Sequence, residues 1–381
     1  MNQRILGAIF LIGGTTIGAG MLALPMTSSN FGFYKSIGLL VGMWLYMLIA
    51  AIIMVEISHG KGQSIAALSE KHLGKPAKLV AASSMLVLFW SLLWCYISGG
   101  SSILHQELGG AIPVPALIIG FTVFLGVFVT MCTSAVDYAN RFVLFFKVAI
   151  FAVIVAGILP FVQTDNLAKV STNTHFSFYY AIPIYFTSFA FHGSIPSLIS
   201  YLDGNKKSIY KSLIIGSLLP LAGFTLWQLI TLGTLGGTLT GTEDVGVFIS
   251  RLTEKSGNIY LSFLTNAFAL TGMASSFLGV ALGLFDYISE WFGKKSDLKT
   301  RINITTLTFG LPLILALIYP KGFIAALGCA AVALSLLAIV LPCLVAFKEK
   351  NSSSFFLNKG LIAIMLLGGL AIIAIEVITK S

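Results

Sequence analysis

The chain has 381 residues, 57% of them hydrophobic and only 10% charged, with a formal net charge of +9. Soluble domains carry about 25% charged residues, so a soluble fold of this size could not cover its surface, and a lipid-facing surface is the remaining solution. No ten-residue alternation of a β-barrel is seen, which leaves an all-α polytopic membrane protein whose spans each pair their own backbone groups.

In chain order the apolar stretches predict eleven spans, at about 5–27, 35–57, 79–106, 114–132, 142–162, 177–200, 210–234, 258–286, 302–319, 322–347 and 357–378. Together they make one transmembrane domain over 1–381. Arg4 opens an apolar run that continues to Met26, past any cleavage site, so the run reads as the first span rather than a removable leader.

The first span reads ILGAIFLIGGTTIGAGMLALP, with Gly13, Gly14, Gly18 and Gly20 interleaved with Thr15 and Thr16. Each interior glycine costs about 1 kcal/mol of helix stability. Four clustered at mid-membrane depth predict an unwound stretch that must face a polar cavity or a ligand. The third span carries Trp90, Trp94 and Tyr96. The fifth carries Lys147, which has two readings. It snorkels to the cytoplasmic interface, or it is a buried ammonium beside the first and eighth spans. Desolvation disfavours the charged form, so in the second reading a proton could leave there during a conformational cycle.

The sixth span reads YAIPIYFTSFAFHGSIPSLISYL. Pro196 removes a backbone donor near His192 and frees carbonyls from Ser188 to Phe191. His192 could titrate or hydrogen-bond substrate or backbone as a neutral imidazole. Between the seventh and eighth spans, Gly241 to Lys255 puts Val245, Phe248, Ile249 and Leu252 on one helical face. This segment is expected to be an amphipathic helix on the outer surface or a lid over the access path. Ser275 and Ser276 on the eighth span could line the same position as Lys147. Near the cytoplasmic ends of their spans, Glu56 and Asp286 pair with basic residues, Arg4 with Asp286 forming an expected inner gate.

Two broken spans, first in each group of five, point to an inverted-repeat transporter. The repeats cover about 4–162 and 177–347, with an extra helix at about 357–378. The half-helix after the first break offers the amides of Gly18, Ala19 and Gly20 and the positive end of its dipole to a carboxylate. Freed carbonyls at the breaks suit an ammonium. Together they describe a zwitterionic α-amino acid. Phe186, Phe189 and Phe191, with the third-span aromatics, would form an apolar pocket for a large side chain.

Basic residues orient the bundle. With the N-terminus in the cytoplasm, sixteen Lys and Arg fall on that side, including Lys61, Arg141, Lys206, Lys294, Lys295 and Lys350, and six fall outside. The C-terminus then lies on the far side. The same distribution explains the positive charge by anionic headgroups, without nucleic acid. Cys95, Cys132, Cys329 and Cys343 lie in or at the ends of apolar segments with no metal-ligand spacing. The five scattered histidines form no catalytic motif. No enzyme activity, cofactor, metal or obligatory protein partner is expected.

GTTIGAGMLALP (14–25), IPIYFTSFAFHGSIPSLISYLDGN (182–205), SFLGVALGLFDYI (276–288) and YPKGFIAALG (319–328) closely resemble the bacterial aromatic amino acid permeases, through the whole chain. FHGSIPSLISYLDGN is most similar to their tyrosine-specific branch. The resemblance implies the inverted-repeat fold of the sodium-coupled leucine transporters and proton-coupled uptake across the bacterial inner membrane. It places the amino-acid backbone at Thr15 to Gly20 and Ser188 to Gly193, with the third span contributing near Tyr96.

Overall fold

In a bilayer the only cheap partner for a backbone amide is the carbonyl one turn back, and the chain folds accordingly into helix after helix. The computed structural model describes residues 3–16, 18–29, 31–131, 147–170, 178–239, 244–293, 297–349 and 354–380. Cys132, Arg141, His175, Lys294, Lys295 and Lys350 lie outside the described residues, as do the side chains of Thr15 and Lys380.

The first predicted span forms two helices, α1 (Gln3–Thr16) and α2 (Ala19–Ser28), which meet at 49°. Next come α3 (Gly32–Ile57), a short helix α4 (Ile65–Leu73) in the connector, α5 (Lys75–Glu107), α6 (Val114–Met131), α7 (Lys147–Phe161) and a single turn α8 (Thr164–Ala168). The sixth span is again split, into α9 (Phe178–Thr187) and α10 (Ile195–Tyr201). The chain continues through α11 (Lys206–Leu235), α12 (Val245–Glu254), α13 (Ile259–Trp291) and α14 (Leu298–Ile318). Helices α15 (Phe323–Ser335) and α16 (Leu341–Lys348) are joined by a π turn at Leu336–Val340, and α17 (Lys359–Lys380) follows. Among the described residues, seven helices, α15 and α16 together counting as one, are long and apolar enough to cross a membrane unbroken.

Several helices run further than hydropathy alone predicts. Helices α5 and α11 begin at Lys75 and Lys206, about a turn before the predicted spans, because their starts are set by caps: Gly74 followed by Pro76 for α5, and Asn205, whose side chain accepts from the Ser208 amide at 3.0 Å, for α11. The π turn precedes Pro342, which lacks the N–H that regular α-helical bonding would use.

Helix α5 packs against α13, α14, α15 and α12, while α11 packs against α1 and α3. The α1–α11 contact is made at small residues. A Cβ at Gly216 would lie 2.8 Å from the Ile12 Cβ, and one at Gly13 would lie 3.3 Å from the Gly216 carbonyl. Such close approach is how helices gain packing energy where lipid removes the hydrophobic drive between them. Large apolar side chains such as Phe124, Val123, Ile314, Ile364 and Leu367 stay exposed on the outside of the bundle, as a lipid-facing surface requires.

The amphipathic segment is helical, as α12, and Val245, Phe248, Ile249 and Leu252 are all buried. It sits on α5, where the Gly246 amide donates to Ser102 Oγ at 3.1 Å and glycine leaves room for the Ser102 carbonyl.

Candidate functional site

The first break lies between Thr16 and Ala19. Thr16 stays helical and spends its hydroxyl on the Ile12 carbonyl at 2.7 Å, a local bond that competes with onward helix. Gly18 sits at the N-cap of α2 with φ −149° and ψ −138°, outside both the helical and the extended regions. The second break begins after Thr187, whose hydroxyl likewise bonds the Pro183 carbonyl at 2.7 Å. Residues Phe189 to Phe191 close short turns onto Phe186, Thr187 and Phe189. A 3-10 turn over His192–Ser194 then leads into α10, with Pro196 in its first turn, where a missing N–H costs nothing. Among the described residues, the Ser188 and Ala190 carbonyls accept no backbone hydrogen bond.

The two breaks touch. A Cβ at Gly20 would lie 2.9 Å from the Ser188 Cα and nearer still to its Oγ and Cβ, so only glycine lets α2 approach α9 this closely. Ala19 is buried beside it. At Gly18 the neighbours are Ser276 Oγ, 3.4 Å from a would-be Cβ, and the Tyr96 hydroxyl at 3.7 Å. The structure therefore brings Gly18, Tyr96 and Ser276 to one point, from α2, α5 and α13.

Next to that point Lys147, in the first turn of α7, donates from Nζ to Ser275 Oγ. It lines a cavity of about 20 Å³ with Gly18, Met21, Leu22, Phe268, Ala269, Gly272 and Met273, room for about one water. Among the described residues, Lys147 is the charged member of that lining. Phe268 continues into an aromatic group, stacked on Phe151 at 5.8 Å and tilted against Trp227 at 6.5 Å. Sequence reasoning missed Phe268, Gly272 and Met273. Their only signal was position, two to eight residues before Ser275 and Ser276 on the same helix.

Other expected site residues face elsewhere. His192 is buried, stacked on Phe191 at 5.0 Å and close to the Met47 backbone on α3. Phe186 packs on Tyr46 and Phe189 on Phe224, so these rings fill the α3 and α11 interfaces. Trp90 donates to the Leu307 carbonyl on α14, and Trp94 packs on Tyr319, leaving Tyr96 as the third-span aromatic at the break. Gly193 is exposed, with open space where a Cβ would stand.

Arg4 pairs with Asp203, at 2.6 Å in the turn after α10. The reason is proximity. α1 packs along α10, where the Tyr201 hydroxyl reaches Gly7. A second charge contact ties the C-terminal end of α3 to the N-terminal end of α11, where Glu56 accepts from Lys206 at 2.7 Å and from Tyr210.

The sequence profile of the tryptophan/tyrosine permease family matches residues 1–377. A tyrosine-specific transport system of Haemophilus influenzae is 35% identical over 92% of this chain and 90% of its own length. A tryptophan-specific transport protein of Shigella flexneri is 32% identical over 100% of this chain and 96% of its own. Among solved structures, MhsT in complex with L-phenylalanine superposes with a TM-score of 0.63 at 14% identity, covering 99% of this chain and 98% of that one. The fold is thus that of the leucine-transporter class. With its profile match across nearly the whole chain and these relatives, the chain belongs to the tryptophan/tyrosine permease family, a family of membrane transporters rather than enzymes.

Proposed function

We propose that the chain imports an aromatic amino acid, tyrosine, by proton symport with alternating access. The observation that carries this reading is the meeting of Gly18, Tyr96 and Ser276 at the first break, directly beside Lys147 and Ser275. The relatives named for tyrosine transport and the neighbour with bound phenylalanine support an aromatic cargo.

In this reading the substrate carboxylate sits at the amides of Gly18 to Gly20, at the positive end of α2. The Ser188 and Ala190 carbonyls receive the ammonium, and Tyr96 faces the bound amino acid. Lys147 holds the place of a coupling cation. Its charged form is costly in an apolar lining, so loss of its proton to the cytoplasmic side would release the contact with Ser275 and let the cycle proceed. Residues 4–162 and 177–347 act as the two inverted repeats and 357–378 as an eleventh helix, with the N-terminus in the cytoplasm of an inner membrane. A tryptophan cargo is the second reading, favoured by the tryptophan-specific relatives at only slightly lower identity.

Competition uptake of labelled tyrosine in proteoliposomes, with a proton or a sodium gradient imposed, tests both parts. Tyrosine uptake driven by the proton gradient and displaced by aromatic competitors is expected, with Lys147→Met losing gradient-driven accumulation but keeping counterflow. Preferred displacement by tryptophan would move the cargo to the second reading. Uptake driven by sodium alone, or intact proton-driven accumulation in Lys147→Met, would remove the coupling scheme.

A further inference from the structure

Away from the break, the outer halves of both broken spans share a polar contact. The half-helix α2 ends at Ser28, and Tyr185 lies in the last turn of α9. Gln228 on α11 gives its two amide hydrogens to these residues, to Ser28 Oγ at 3.0 Å and to the Tyr185 hydroxyl at 2.6 Å. Ser28 donates its own hydrogen to the Leu24 carbonyl at 2.5 Å. The Tyr185 hydroxyl must therefore be the donor in its contact with Ser28. All three residues are fully buried.

Only the Gln228 Oε1 lacks a partner in this group. Turning the amide over would orphan two donors in place of one acceptor, so the hydrogen-bond inventory fixes the amide as it stands. Buried polar groups without water are retained where they specify one arrangement of elements. Here the elements are the two half-helices that flank the candidate site. They already touch at Gly20 and Ser188. Ser28 lies about 12 Å further along α2, so α2 is held to α9 at both of its ends, and α11 joins through Gln228 alone of the three.

Building on the alternating-access reading, we infer that Gln228 is a positioning residue that makes α2, α9 and α11 one moving body, so that closure of the break around substrate is passed to α11. It touches neither the Gly18–Tyr96–Ser276 point nor Lys147. Its loss should slow the conformational step without changing recognition.

The test compares Gln228→Met, similar in length and apolar, and Tyr185→Phe with the wild type in proteoliposomes, with substrate binding and Tm measured on the same preparations. Vmax is expected to fall about tenfold with KM and equilibrium binding within about twofold, and the double variant should lose little more than either single one. Gln228→Glu should recover activity relative to wild type as the pH falls, because only the protonated carboxyl can donate to the pair. Unchanged Vmax in Gln228→Met, additive losses, or a weakened KM that tracks a lower Tm would each overturn the inference. Should Gln228→Met fail to fold, Tyr185→Phe decides on the same split. A wild type that moves no aromatic amino acid would sink the functional reading instead, and the comparison would then be run on the solute it does move.

Discussion

At the scale of single residues, the sharpest steric statement concerns Gly20. A methyl group there would meet Ser188 inside the distance at which real Cβ atoms are found. Overpacking of this kind costs typically about 1–3 kcal/mol, and here the displaced backbone is the break itself. Gly20→Ala is expected to cut uptake severely while leaving the protein in the membrane. Adding Ser188→Gly removes the Oγ and Cβ but not the Cα, so uptake should return in part. Uptake assays normalised to membrane-inserted protein check this, and full activity in Gly20→Ala would refute the contact. The glycine and threonine cluster was legible because glycine is costly in a helix wherever it appears. Which way a ring faces was not. Phe186 and Phe189 lie at site depth in the sequence, yet they fill the α3 and α11 interfaces, and Phe191 stacks on His192, because side-chain direction around an irregular break has no fixed period to read.

At the scale of elements, two charge contacts tie helix ends together, and they differ in environment. Arg4 and Asp203 are 60% and 77% exposed, where ion pairs contribute about 0–1 kcal/mol. Glu56 is only 8% exposed and accepts from both Lys206 and Tyr210, although Lys206 itself is 48% exposed. Lys206→Met would leave a buried carboxylate with only the hydroxyls of Tyr210 and Ser354 as partners among the described residues, a loss of about 1–3 kcal/mol, discounted toward the lower figure because water can reach the lysine position. Arg4→Met should leave Tm almost unchanged, and Lys206→Met should lower it clearly. Thermal unfolding of the two purified variants decides, and equal Tm values would show that burial of Glu56 is not what matters. The helix lengths behind these contacts were foreseen to within about a turn. The contact of Arg4 with Asp203 was not, because only the packing of α1 along α10 brings the two together.

At the scale of the whole molecule, the question is whether α17 belongs to the moving machine or is appended to it. Its backbone carbonyls receive three hydroxyls from other helices: Tyr46 at Met365, Ser335 at Gly369 and Tyr180 at Thr379, at 2.6, 2.8 and 2.6 Å. Its apolar residues Ile362, Met365 and Ile372 are buried against the bundle. In lipid, removing such a helix sacrifices packing but little hydrophobic energy, and interhelical hydrogen bonds average about 0.6 kcal/mol each. Three lost bonds therefore predict a loss of about 2 kcal/mol plus packing, enough to lower Tm and too little to dissolve the fold. None of Gly18, Tyr96, Ser276 or Lys147 lies on α17 or reaches it through a side-chain bond given above. A chain ending at Asn358 is accordingly expected to insert, to unfold at lower temperature, and to transport at near the full rate per folded molecule. Binding and uptake measured on the folded fraction check this. Abolished uptake with binding intact would place α17 inside the conformational cycle, since α9, one of the half-helices that must move, carries the Tyr180 contact to its outer end.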